Sequence, residues 1–194
     1  MRKPPLWSAP VLALAAGLTY PGAPLRAQTA ATDSAEFAAW RQVQKEDIDG
    51  VRQKFMALAK VVPAGKLGWR PMEGTRSFRE VFAHIAAEGN TETAMFGQPL
   101  PAGSLADFDA EEARLKKLPD DQLITIMDRA MQSLVATLGG LSRDKINTPI
   151  QYYGQSTLPR VATTYTLIDL HEHLGQLVAY ARMNQIVPPW SKKG

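Results

Sequence analysis

Four long stretches of the chain repeat apolar residues at helical spacing, and none shows sustained strand alternation, so the pattern predicts an all-α fold. The first stretch runs from about Asp33 to Val62, with Asp33 and Glu36 spaced as a capping box and Trp40, Val43, Val51, Phe55 and Leu58 as its stripe. Pro63 and Gly65 stop it. The second starts at a sharper capping box, Ser77 with Glu80, and carries Phe78, Val81, Phe82, Ile85, Gly89 and Phe96 before Gly97 and Pro99. After an acidic connector, with a short helix between Ser104 and Leu118, the third begins near Asp120, where acid complements the helix dipole. It buries Leu123, Ile126, Met127, Ala130, Met131, Leu134 and Leu138 and stops at Gly139-Gly140. A loop with Pro149, Gly154 and Pro159 leads to the fourth, from about Arg160 to Asn184.

Long helices joined by loops pack as an antiparallel four-helix bundle, with polar sites built from side chains facing its core. The connection between helices two and three, and that from Leu141 to Pro159, are too long for hairpins. They cross an end of the bundle or roof a cavity there.

The fourth helix is unusual: from Val161 to Ala181 it has no Lys or Arg, and its only charged side chains are Asp169 and Glu172. Such a composition predicts burial on most sides. Leu167, Leu170, His171, Leu174, Leu177, Val178 and Ala181 form one stripe, and Thr166, Asp169, His173, Gln176 and Tyr180 form a polar one. Asp169 and His173 stack four residues apart, as two ligands of one metal would, although a hydrogen-bonded pair without metal has the same spacing. His171 lies about 200° round the helix from His173 and reads as a packed histidine with one hydrogen bond. His84, on the flank of the second stripe with Glu88 one turn beyond, is the remaining histidine. Pairing of helices two and four would bring it opposite Asp169 and His173.

Composition changes this picture at one end only. Of 22 basic residues, Arg2, Lys3 and Arg26 lie in the acid-free first 27; without them 19 basic residues face 19 acidic ones. The remainder is neutral and lacks the basic footprint of a nucleic-acid binder. Residues 1–27 read as a secretory signal, with cleavage after Ala27 or as late as Ala31, leaving residues 28–194 as one exported domain, periplasmic or secreted, with no membrane span. The absence of cysteine restricts metal ligands to His, Asp and Glu. There is no GxSxG elbow and no phosphate loop, and the HEH triplet at 171–173 is no HExxH motif because residue 175 is Gly. Trp69, Trp190, Tyr152 and Tyr153 fall near bundle ends, where they either cover the core or line a pocket mouth.

The stretches WRPMEGTRSFREVFAHIAAEGN (69–90) and DLHEHLGQLVAYARMNQIVPPWS (169–191) together resemble the DinB-like (DinB/YfiT) superfamily over essentially all of residues 28–194. The resemblance implies a four-helix bundle, monomeric or homodimeric, often holding a divalent metal through three histidines. Its members include thiol-dependent transferases, isomerases and hydrolase-like proteins. His84 and His173 match two of the family's histidines; the third position, four residues before His173, holds Asp169. The implied metal set is therefore His84, Asp169 and His173, a two-histidine, one-carboxylate set compatible with zinc, nickel, iron or manganese. Gly175 is expected to allow close helix contact, and Gln176 to back a ligand or line the pocket. The functional expectation is a metal-dependent enzyme, hydrolase-like or a transferase, acting on an unidentified small molecule. Glu88 and Glu172 are weak candidates for a general base. The alternative is a non-enzymatic binding or scaffold bundle in which the same residues form a polar network.

Overall fold

The computed structural model describes residues 25–191, with side chains from residue 34 onward. The leader's basic start and apolar run lie outside the described residues. The chain divides into two units after Ala35; residues 36 onward form the bundle, and the described residues before them belong to the start of the first helix. The helices are α1 (Leu25–Val61), α2 (Phe78–Met95), α3 (Phe108–Leu115), α4 (Asp120–Gly139), α5 (Arg143–Ile146) and α6 (Pro159–Met183), and a hairpin of β1 (Ile150–Tyr152) and β2 (Gln155–Thr157) precedes α6. The four long helices, α1, α2, α4 and α6, make the expected all-α bundle. No described helix is long and apolar enough to cross a membrane.

Local chemistry explains most boundaries. Ser77 and Glu80 form the reciprocal capping box of α2, Asp107 caps α3 through the Ala110 amide, and α4 begins directly after Pro119. α1 departs from expectation. It starts at Leu25, and Asp33 is no cap, because no Gly or Pro interrupts the alanine-rich run between them. It has 37 residues, about twice as many as α2. Burial begins at Ile48 and continues through Val51, Phe55 and Leu58, while Val43 of the expected stripe is exposed.

The helix enclosed on all sides is α2, not α6. Every α2 residue from Val81 to Thr93 is buried, including Glu88, Asn90, Thr91, Glu92 and Thr93. Its backbone meets that of α4 so closely that a Cβ on Gly89 would lie 2.9 Å from the carbonyl carbon and Cβ of Ala130. α6 leaves Val161, Tyr165, Ile168 and Met183 exposed. Gly175 also falls on open space, with nothing within 4 Å of a Cβ built there, so it mediates no close contact. The uncharged composition of α6 therefore does not mean enclosure.

The hairpin is not legible as strand in the sequence. Its strands have three residues each, paired Ile150 to Thr157 through Tyr152 to Gln155, too few for alternation to register. Its two-residue turn, Tyr153-Gly154, has φ of +47° and +76°, the left-handed pair that a type I′ turn requires.

Candidate metal centre

α2 and α6 each contribute two side chains one helical turn apart to a shared point: His84 and Glu88 from α2, Asp169 and His173 from α6. One ligand atom from each lies within 4.8 Å of all the others, and the group could hold a metal ion. The structure thus brings together the three residues singled out in the sequence and adds Glu88. The Glu88 carboxylate lies at the middle, its Oε1 3.2 Å from His84 Nε2 and 3.6 Å from His173 Nε2. Asp169 Oδ1 is 3.7 Å from His173 Nε2 at the half-exposed edge. His171 points elsewhere, as its helical phase requires, but it is exposed rather than packed and meets Asp47 of α1 at 3.1 Å.

Both imidazoles are oriented from behind. His84 Nδ1 lies 3.2 Å from Glu112 on α3, a buried carboxylate that Lys116 and Arg76 also engage. For His173 the sense of the hydrogen bonds is determinable. The Tyr180 hydroxyl donates to the Arg76 carbonyl (3.0 Å), so its oxygen accepts from Gln176 Nε2 (2.9 Å). This turns Gln176 Oε1 toward His173, 3.3 Å from Nδ1. An amide oxygen only accepts, so Nδ1 carries a proton and Nε2 is the nitrogen that faces the cluster. A second contact of this kind is what fixes the tautomer of a metal-binding histidine. The polar stripe of α6 is therefore this relay, with Thr166 serving the floor below.

Charge is concentrated on Glu88. Burial would raise its pKa, but His173 and His84 outweigh burial and hold the carboxyl far below the usual range. Burial, and then the Glu88 charge, push Asp169 up to about 7. Burial lowers the His173 pKa, yet Glu88 and Asp169 override it and the net shift is upward. Two buried atoms of the group, Glu88 Oε2 and His173 Nε2, have no hydrogen-bond partner. Unpaired buried polar atoms are costly, and a cation between them would satisfy both. Two imidazoles and two carboxylates are a suitable donor set for zinc, iron, manganese or nickel, so the residues fit a divalent ion.

The group opens on a cleft of about 470 Å³ lined by His84, Glu88 and Asp169 with Phe108, Tyr153 and Tyr165. Its floor is Glu92, fully buried and accepting from the hydroxyls of Tyr152 (2.7 Å), Thr166 (2.9 Å) and Tyr153 (3.3 Å). Tyr152 and Tyr153 thus line the pocket, whereas Trp69 packs on Phe78 and Tyr180 in the core. Burial, reinforced by Glu88 one turn away, raises the Glu92 pKa to about 8. With the unfolded value near 4.5, the folded state binds the extra proton between these limits. The stability associated with protonated Glu92 is complete below the lower value and is lost as pH rises through the upper one. The melting temperature of Glu92→Gln relative to wild type should therefore climb from about pH 5 to about pH 8 and then level off. A difference independent of pH would place Glu92 in the ordinary carboxyl range.

The chain is thus an all-α bundle with a histidine and carboxylate cluster shared between two of its long helices. Residues 47–177 match the DinB superfamily, and the chain belongs to that family. Among curated proteins, none matches it.

Proposed function

We propose that the protein is an exported, divalent-metal-dependent enzyme, hydrolase-like or a transferase, whose substrate is a small molecule entering the cleft beside Glu88 and His173. The observation that carries this reading is the pair of unpartnered buried atoms, Glu88 Oε2 and His173 Nε2, in one cluster, with Glu88 at the wall of an open cleft. His84, Glu88, Asp169 and His173 would hold the ion; bound there, it would act as a Lewis acid or lower the pKa of water. Glu112 and Gln176 keep the imidazole lone pairs aimed at it. Glu92 holds a proton at neutral pH below the same space, and the rings of Phe108 and Tyr153 exclude water from one side. Export rests on the sequence of residues 1–27 alone.

One preparation tests both parts. Untagged protein recovered from the periplasmic fraction is expected to begin at Gln28 or Thr32 by intact mass and to contain close to one equivalent of a transition metal. Stripping with a chelator and restoring zinc at about a hundredfold over its Kd should raise stability by about 2.7 kcal/mol, roughly 5–10 °C in a domain of this size. Metal below about a tenth of an equivalent, with no thermal response to zinc, nickel, manganese or iron, would replace the enzyme reading with a binding or scaffold bundle whose polar network is self-satisfied.

A further inference from the structure

Beyond His84, Glu88 and Asp169, the cleft is lined by Phe108, Tyr152, Tyr153 and Tyr165 with Glu92 and Ile168, and by no Lys or Arg. Phe108 and Tyr153 meet edge to face at 5.9 Å and 76°, and Tyr152 meets Tyr153 at 4.8 Å and 84°. All three rings line the cleft. Tyr165 and Ile168 of α6 supply the rest of the mouth and are 58% and 51% exposed. The ionisable lining apart from His84 and the tyrosines is carboxylic: Glu88, Glu92 and Asp169. Glu88 is 4% exposed with one oxygen unpartnered. Glu88, held ionised between two histidines, is the negative charge of this wall, and aromatic ring faces attract cations.

Tyr153 adds an independent observation. It occupies the first central position of the hairpin turn at φ +47°, where Asn, Asp or Gly is favoured. Its burial does not explain this choice, since 44% of it remains exposed. Neither does its hydrogen bond, a 3.3 Å contact to a Glu92 oxygen that already accepts from Tyr152. Backbone strain of this kind collects where a side chain meets a ligand.

We propose that the cleft binds a small organic cation, an amine or quaternary ammonium group seated against the ring faces of Phe108, Tyr153 and Tyr165 and opposite the carboxylates of α2 and α6. The inference builds on the reading of this cleft as the working cavity but not on the metal.

The test uses the full chain after chelator treatment and measures, by calorimetry, the binding of choline, its uncharged isostere 3,3-dimethylbutan-1-ol, and benzoate. Choline is expected to bind at least about fivefold more tightly than either. Tyr165→Ala, at an exposed position, and Tyr153→Asn, which suits the turn, should each abolish that preference without lowering the melting temperature by more than a few degrees. Equal or tighter binding of the isostere or of benzoate, persistence of the preference in both variants, or no choline binding up to about 10 mM would each overturn the proposal. Zinc binding is measured in parallel. Protein that takes zinc without preferring choline fails this inference alone, and protein that prefers choline without taking zinc fails only the metal reading.

Discussion

Glu88→Gln is expected to weaken zinc binding by more than about a hundredfold, the upper end of what loss of a residue merely backing a ligand costs. Glu88 is the one carboxylate that faces both imidazoles, and these hold its carboxyl far below the usual range. Glutamine keeps its shape and removes the charge. Asp169→Ala should cost less, because Asp169 lies at the half-exposed rim, reaches one of the two imidazoles, and is pushed up to about 7 by burial and by Glu88 beside it. Asp169→His is expected to retain binding. His171→Ala should leave affinity within a few-fold, since its imidazole faces Asp47 on the outside of α6. Titration of the stripped variants with zinc decides the order. If Asp169→Ala proves the more damaging, Asp169 is the principal carboxylate ligand and Glu88 its support; if His171→Ala abolishes binding, the geometry of α6 is wrong.

Gly89→Ala should destabilise the protein by about 1–3 kcal/mol, the usual result of forcing extra atoms into a filled interior, or roughly 2–12 °C in Tm. The added Cβ would meet backbone and Cβ of Ala130 at 2.9 Å, and backbone has no rotamer into which it can retreat. α2 and α4 would have to part, moving Glu88 next in sequence, so zinc affinity should fall as well. Gly175→Ala is the control. It adds a methyl to open space on an exposed helix face, where replacing Gly stabilises by about 0.5–1 kcal/mol. Thermal melts of the two variants should therefore move in opposite directions, and a Gly89→Ala protein melting at or above wild type would mean that α2 and α4 are not in backbone contact.

These two glycines show where spacing alone misleads. Gly175 follows the histidine motif and looks like the contact glycine, whereas Gly89 reads as one more member of an apolar stripe. A glycine's role depends on what lies opposite it, and that partner, Ala130, is distant in the chain. Burial is misjudged from sequence for a related reason. The lack of charge on α6 suggests enclosure, yet α2, with Glu88, Asn90 and Glu92 in its interior turns, is the enclosed helix. Polar groups tolerate burial when partners reach them, and those partners come from elsewhere: Glu111 to Asn90, and Tyr152 and Thr166 to Glu92.

By itself, the sequence determined the all-α class, the capping box of α2, the start and the inward stripe of α4, and the alignment of Asp169 with His173, Gln176 and Tyr180. All of these depend on spacing within one helix, where a rise and turn common to every residue convert sequence distance into geometry. Only the tertiary structure decided that Glu88 lies between His84 and His173, that Glu112 of α3 backs His84, and that a strained tyrosine from a short hairpin overhangs them. Each of these is a meeting of side chains from different elements, set by helix packing and by a turn too short to leave a periodic trace.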